Sequence, residues 1–150
     1  MKTIALASDH AGFSLKTGLL EYLKEKGIPV RDFGTFSEER IDYIDFAVEA
    51  VEAVLRGECD RALLVCGTGI GMSMVANKFR GIRAALCLDE YMADMSRRHN
   101  DSNCLTLGGR MVPLDEARLI VDTWLDTAFE GGRHADRLKK IEELEINNFK

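Results

Sequence analysis

The segment Cys66-Gly67-Thr68-Gly69-Ile70-Gly71 combines a thiol with three glycines at alternate positions. It lies between an apolar run of strand length and a helical pattern, so its backbone N–H groups can turn toward one point and bind a negatively charged oxygen. A thiol at the amino end of a helix ionises more readily than a free cysteine, whose pKa is about 8.5. The segment therefore predicts an anion-binding loop in which Cys66 is a base or a nucleophile.

The spacing of this loop does not fit several well-known anion-binding loops. A Walker A loop places Lys and then Ser or Thr after its last glycine, where this chain has Met72 and Ser73. A dinucleotide fingerprint would need glycine in place of Met72, and a cysteine phosphatase would need arginine there. A phosphorelay receiver would need aspartate at Cys66. The loop is thus not predicted to be a Walker A loop, a dinucleotide fingerprint, a cysteine phosphatase loop or the site of a phosphorelay receiver.

Histidines and arginines elsewhere in the chain offer proton transfer and phosphate binding. His10 and His99 can donate or accept a proton near neutral pH. Arg133 and Arg137 are four residues apart at the start of a charged helix, and guanidinium groups bind phosphate through paired N–H donors. The histidines and Cys66 are not spaced closely along the chain as the ligands of a structural zinc site are, so no metal is expected.

The elements that must position these residues follow from hydrophobic periodicity. Apolar runs of strand length alternate with longer helical patterns, which is typical of an α/β fold with a parallel sheet. We predict one domain over residues 1–150, a C-terminal helix over about 135–146, and strands over 3–8, 29–33, 61–66, 83–88 and 103–107. We expect a Rossmann-like, doubly wound sheet in the order 2-1-3-4-5, with helices on both faces.

Ligands of such sheets bind beyond the carboxyl ends of the strands, near the point where the strand order reverses. Strands 1 and 3 flank that point. We therefore expect Ser8-Asp9-His10, the glycine loop, Asp89 and the segment His99-Asn100-Asp101 to converge on one site.

Composition narrows the choice of partner. Twenty Lys and Arg stand against 25 Asp and Glu, a net charge of −5 that argues against nucleic acid. No apolar run approaches the roughly 20 residues of a membrane span. There is no C-x-x-C pair and no N-terminal signal pattern, so we expect a cytoplasmic protein with a small anionic partner.

The ordered set of motifs resembles the ribose-5-phosphate isomerase B family, which also contains the galactose-6-phosphate isomerase subunits. The resemblance runs from residue 4 to about 141. It rests on Ser8-Asp9-His10-Ala11-Gly12, Asp42-Tyr43, the glycine loop, Ala76-Asn77-Lys78, Gly81-Ile82-Arg83-Ala84, Ser96-Arg97-Arg98-His99-Asn100-Asp101 and Gly131-Gly132-Arg133-His134.

The resemblance implies an aldose-ketose isomerase that works through an enediolate, without a metal or another cofactor. Cys66 would move the carbon-bound proton, while Thr68 and the amides of Gly67, Gly69, Ile70 and Gly71 stabilise the enediolate oxygen. His99, aided by Asp9, would open the sugar ring. The implied substrate contacts are Asp9, Tyr43, Asn100 and Arg110 for the sugar or its anion, and His10, Arg133 and Arg137 for the phosphate.

Two departures within the family bear on these roles. Members that lack the cysteine have a glutamate directly after the loop, where this chain has Met72, so Cys66 is expected to be the base. Ile44 stands where the family commonly has proline, which leaves the preferred sugar open. Ribose 5-phosphate is the first expectation, a hexose 6-phosphate such as allose or galactose 6-phosphate is the alternative, and non-catalytic sugar-phosphate binding is a remote third.

The resemblance also implies an oligomer. We expect a homodimer with active sites shared across its interface, and the sequence leaves open whether dimers pair into tetramers.

Overall fold

Strands and helices alternate along the part of the chain that the computed structural model describes, residues 2–149; Met1 and Lys150 lie outside it. The strands are β1 (Ile4–Ser8), β2 (Val30–Asp32), β3 (Arg61–Cys66), β4 (Ala84–Leu86) and β5 (Cys104–Gly108). The helices are α1 (Phe13–Glu25), α2 (Tyr43–Leu55), α3 (Ile70–Ala76), α4 (Glu90–Arg98), α5 (Leu114–Asp126) and α6 (Arg133–Asn148). No helix of the described chain is long and apolar enough to cross a membrane.

The five strands form one parallel sheet, which confirms the predicted fold class. The order is β2-β1-β3-β5-β4, so the predicted positions of the last two strands are wrong. All five residues of β5 are buried, whereas β4 has three half-buried residues. A short, partly exposed strand suits the edge of a sheet, because an edge offers one neighbour instead of two.

Side chains that alternate along the strands pack into two apolar cores, one on each face of the sheet. On the first face, Ile4 and Leu6 of β1 pack in a cluster with Leu19 of α1 and Trp124 of α5. On the second face, Ala5 and Ala7 belong to a cluster with residues of α2 and α3. Helices therefore cover both faces, as predicted, and only the strand ends remain free to carry polar loops.

The helix next to the glycine loop begins earlier than the sequence pattern suggests. The periodicity predicts a helix from about 72 to 79, but α3 covers Ile70–Ala76. Gly69 has φ +82° and acts as the N-cap residue, which starts the helix directly after the loop. Asn77 ends it, and its side chain bonds the backbone of Ala84 in both directions. The loop amides thus belong to the first turn of a helix.

Candidate active site

The neighbouring strands β1, β3 and β5 place polar loops at the carboxyl edge of the sheet, where the strands end. Because β5 lies next to β3, the loop after β5 contacts the glycine loop: Gly109 N–H donates to the Cys66 carbonyl at 2.7 Å, and Arg110 N–H donates to the Gly67 carbonyl at 3.1 Å. Asp9, after β1, donates its N–H to the Val65 carbonyl at 3.2 Å. The corrected strand order is what brings Arg110 to the loop.

Cys66 is held at the centre of this edge. Its side chain is 5% exposed, and the N–H of Gly69 donates to its Sγ at 3.1 Å. Burial raises the pKa of each of the other three cysteines: of Cys59, of Cys87 to about 11, and of Cys104. These three cysteines therefore remain thiols at neutral pH, and all three lie outside the glycine loop.

The walls of the loop come from α2 and from the chain after β5. A Cβ on Gly71 would lie 2.7 Å from the Cζ of Tyr43, so the tyrosine ring packs directly against the loop. A Cβ on Gly67 would lie 3.6 Å from Nη1 of Arg110, which places the guanidinium group beside the loop on another side. Thr68 is exposed, and its Oγ1 accepts the N–H of Ile70 at 3.2 Å.

Asp9 and His10 complete this group of residues. The Asp9 carboxylate is 6% exposed and accepts the N–H of Gly12 at 2.9 Å, which ties it to the start of α1. Nδ1 of His10 accepts the N–H of Ile41 at 3.1 Å. This bond ties the imidazole to the loop before α2, next to Tyr43.

His99 and Asn100 lie at the amino edge of the sheet, where the strands begin. The prediction that the segment His99-Asn100-Asp101 converges with the glycine loop within one chain is therefore wrong. Cys104 pairs with Ala62 at the start of β3, whereas Gly108 pairs with Cys66 at its end. Four residue steps, about 13 Å of strand, separate the two edges. In a parallel sheet the helix that precedes β5 must end where β5 begins, and this puts His99 at the amino edge.

The two arginines of α6 share this second edge with His99. The imidazole rings of His99 and His134 stack with centroids 4.1 Å apart and planes 11° apart, and Arg133 is the residue before His134. Arg133 and Arg137 are exposed on the first turns of α6. The candidate residues therefore form two separate groups in each chain: Cys66, the glycine loop, Asp9, His10, Tyr43 and Arg110 at the carboxyl edge, and His99, Asn100, Arg133 and Arg137 at the amino edge.

A partly buried ionic network, with Arg97 at its centre, holds the turn that carries His99 and Asn100. Arg97 donates through Nη1 to the Asp101 carboxylate and to the Ser102 carbonyl, at 2.8 and 2.7 Å, and through Nε to the Thr127 carbonyl at 3.1 Å. Arg83 donates to the Asp101 carbonyl at 2.8 Å. Asp101 has φ +44°, and these arginines hold the backbone in that conformation.

Sequence reasoning missed several residues of these two edges. It assigned no role to Arg97, Glu130 or His134, which bond or stack with residues distant in the chain: Arg97 with Thr127, Glu130 with Arg98 and His134 with His99. It also missed Lys16, which is buried and donates to both carboxylate oxygens of Asp32 at 2.8 and 3.0 Å. A signal for Lys16 was present, since it stands three and seven residues before Leu19 and Leu23 on the apolar face of α1.

The fold and the carboxyl-edge site define an open α/β protein with a glycine loop that opens a helix beside a cysteine. The chain belongs to the ribose/galactose isomerase family, whose sequence model matches residues 4–141. Ribose-5-phosphate isomerase B of Escherichia coli K12 is 49% identical over 145 residues, which cover 97% of each chain.

Further relatives agree with this membership. The solved structure of ribose-5-phosphate isomerase B from Clostridium thermocellum has a TM-score of 0.95 and 54% identity, and the match covers 97% of this chain and 98% of that one. D-erythrulose-4-phosphate isomerase of Pectobacterium atrosepticum is 41% identical over 142 residues, which cover 94% of this chain and 93% of the relative. The family thus includes proteins named for sugars of different length.

Proposed function

We propose that this protein is an aldose-ketose isomerase that interconverts ribose 5-phosphate and ribulose 5-phosphate. The observation that carries the proposal is the hydrogen bond from the Gly69 N–H of the glycine loop to Cys66 Sγ, in a chain that is 49% identical to a ribose-5-phosphate isomerase B. The hexose phosphate alternative is not favoured by these relatives.

The proposed proton transfer starts from the Cys66 thiolate. It takes the proton from C2 of the open-chain aldose, and the C2–H electron pair forms the C1–C2 double bond of an enediolate. The negative charge develops on the former carbonyl oxygen, O1, and a proton passes from O2 to O1. Cys66 then returns its proton to C1, so C2 becomes the ketone and no atom is gained or lost.

The glycine loop supplies the electrostatic part of this reaction. N–H groups aimed at the developing oxyanion stabilise it in a site with little water, and losing one such donor typically costs about 3 kcal/mol of transition-state stabilisation. The Arg110 guanidinium beside Gly67 adds a positive charge at the same edge. Thr68 and Tyr43, which stand at the mouth of the loop, are proposed to contact the sugar hydroxyls.

We propose that ring opening and phosphate binding come from a second copy of the chain. His99, Asn100, Arg133 and Arg137 lie at the amino edge of the sheet, so within one chain they cannot reach a sugar bound at Cys66. In a two-fold dimer the amino edge of one protomer can face the carboxyl edge of its partner, and each protomer then completes the other's site.

Exposed apolar side chains support such an interface. Ile70 and Met74 of α3 and Met111 after β5 are more than half exposed beside the glycine loop. On α6 the exposed apolar residues are Ile141, Leu144 and Ile146. Large apolar side chains left exposed on these elements favour burial against another protein surface. The four cysteines are all free thiols, which supports action in a reducing compartment such as the cytoplasm.

The experiment that tests the proposal replaces Cys66 with alanine and measures isomerisation together with exchange of the C2 hydrogen in deuterated solvent. We expect Cys66→Ala to lose both by at least about a thousandfold, because the substitution removes the group that takes the C2 proton. Cys59→Ala, at a buried cysteine of the core, is the matched control and should keep both. Substantial exchange by Cys66→Ala would overturn the role of Cys66.

The same isomerisation assay, applied to the wild-type protein with different sugar phosphates, identifies the preferred substrate. We expect kcat/KM to be highest for ribose 5-phosphate, compared with allose 6-phosphate, galactose 6-phosphate and erythrulose 4-phosphate. A higher value for any of the other three would replace the proposed substrate while leaving the isomerase chemistry intact.

A further inference from the structure

Three potential metal ligands meet at the amino edge of the sheet, away from the glycine loop. His99 is the C-cap residue of α4, His134 lies in the first turn of α6, and Glu130 lies in the loop between α5 and α6. Nε2 of His99 is 3.7 Å from Oε1 of Glu130. One ligand atom from each of the three residues lies within 4.8 Å of the other two.

We propose that His99, Glu130 and His134 form a binding site for Zn²⁺ and that the bound ion inhibits the enzyme. The inhibitory effect, but not the binding, rests on the proposed function, because it requires His99 to act on the sugar. A metal ion on the imidazole of His99 occupies the nitrogen lone pair and prevents that ring from exchanging a proton with substrate.

The donor set suits zinc and does not suit hard cations. Two imidazole nitrogens and one carboxylate are common zinc ligands, with bonds of about 2.0–2.2 Å and a fourth position left to water. Tetrahedral ligands at that distance lie about 3.3 Å from one another. The three side chains therefore need to approach by an ångström or so, and the stacked rings must splay apart slightly. Mg²⁺ prefers oxygen ligands and should not compete.

The backbone already holds the three residues together. Glu130 N–H donates to the Arg98 carbonyl at 3.1 Å, which ties the loop before α6 to the last turn of α4. His134 N–H donates to the Gly131 carbonyl at 3.1 Å. Binding a metal ion therefore requires only small side-chain rotations, and the side chains of His99 and Glu130 are partly exposed, at 37% and 42%.

The charges around the site act in both directions. The carboxylate of Glu130, 3.7 Å from Nε2 of His99, attracts a cation, whereas Arg133 and Arg137 on the first turns of α6 carry positive charge. The same two arginines repel a cation, and Glu130 offsets only part of their charge. We therefore expect modest affinity, well below that of a structural zinc site.

The test measures Zn²⁺ binding to the metal-free full-length protein by isothermal titration calorimetry. The wild type should bind one ion per chain. Glu130→Gln and His134→Phe should each weaken binding at least about tenfold, since each removes one ligand. His134→Phe keeps an aromatic ring against His99, and Glu130→Gln changes an exposed side chain, so at least one variant tests the site in a folded protein.

Cys66→Ser is the control, because a thiolate also binds zinc. The proposal requires this variant to bind Zn²⁺ as the wild type does. Unchanged affinity in both Glu130→Gln and His134→Phe, or loss of binding in Cys66→Ser, would overturn the site. These binding results do not depend on catalysis. The zinc site and the proposed function can therefore fail separately, because only an active Cys66→Ala variant would contradict the proposed function.

Inhibition is measured on the same proteins. Zn²⁺ should inhibit the wild type reversibly, with recovery on addition of a chelator, and the inhibitory concentration for Glu130→Gln should rise by the factor by which its affinity falls. Inhibition that is unchanged in a variant with weakened binding would contradict the inhibitory role of the site.

Discussion

At the scale of single residues, Gly69 connects the backbone conformation of the loop with the environment of the thiol. Its φ of +82° is one that a glycine adopts without strain, and in this conformation its N–H reaches the Sγ of Cys66 at 3.1 Å. The space around it is also filled: a Cβ would lie 2.6 Å from Cδ1 of Leu86 and 2.9 Å from the carbonyl carbon of Leu107. Backbone and packing thus both require glycine at this position.

We expect Gly69→Ala to lower both stability and activity. The left-handed conformation costs an alanine about 1–2 kcal/mol, and the clash with the backbone of β5 adds to this, so the loop must shift away from Cys66. The free energy of unfolding in urea and kcat/KM measure the two effects.

Gly57→Ala is the matched control for this prediction. Gly57 has φ +76°, but a Cβ added there would meet nothing within 4 Å, so alanine bears the backbone cost without a clash. It should destabilise the protein by about 1 kcal/mol and keep kcat/KM. An equal loss of stability in both variants, with activity retained in both, would contradict the packing argument.

At the scale of elements, the end of α4 is a rigid platform for His99 and Asn100. Arg97 is almost fully buried and bonds the Asp101 carboxylate and the carbonyls of Ser102 and Thr127, while the next residue, Arg98, forms an exposed ion pair with Asp94. Removing a buried charged donor lowers stability more than removing one partner of an exposed ion pair. The buried partners are then left without a hydrogen bond, whereas the exposed partner is solvated by water. Arg97 is therefore a positioning residue for the turn.

We expect Arg97→Lys to lower kcat/KM at a temperature at which the protein stays folded, because lysine cannot make the three directed bonds and the His99 turn loses its fixed position. Stability should fall by about 1.5–3 kcal/mol. Arg98→Lys should change stability by less than about 0.5 kcal/mol and leave kcat/KM unchanged. A variant Arg97→Lys that loses stability but keeps both kcat and KM would show that Arg97 has only a structural role.

At the scale of the whole molecule, the parallel sheet separates the two groups of candidate residues. Cys66 follows the carboxyl end of β3, and His99 precedes the amino end of β5, which is the neighbouring strand. Parallel strands have all their carboxyl ends at one edge, so no rearrangement of side chains can join the two groups within one chain. A shared site in a dimer is the arrangement that we propose from this geometry.

Mixing two inactive variants tests this arrangement. Cys66→Ala and His99→Asn are each expected to be inactive, but a mixed dimer has one site with both defects and one intact site. After equal amounts are unfolded and refolded together, half of the dimers are mixed and half of their sites are intact, so about a quarter of the wild-type activity should return. No recovery, although mixed dimers are detected by mass spectrometry, would contradict shared sites.

The sequence by itself determined the local features of this protein. The alternation of strands and helices, the sheet with helices on both faces and the glycine loop after β3 could be predicted because they depend on hydrophobic period and on glycine spacing over a few residues. Cys66 stood out for the same reason. The roles of these residues in catalysis remain predictions that the proposed variants test.

Only the tertiary structure decided which distant groups meet. The exchange of β4 and β5 in the sheet, the contact of Arg110 with the loop and the stacking of His99 on His134 depend on pairing between segments far apart in the chain. Local periodicity is the same for either strand order, so it cannot distinguish them. The edge at which His99 lies follows from strand direction and pairing, which exist only once the sheet has formed.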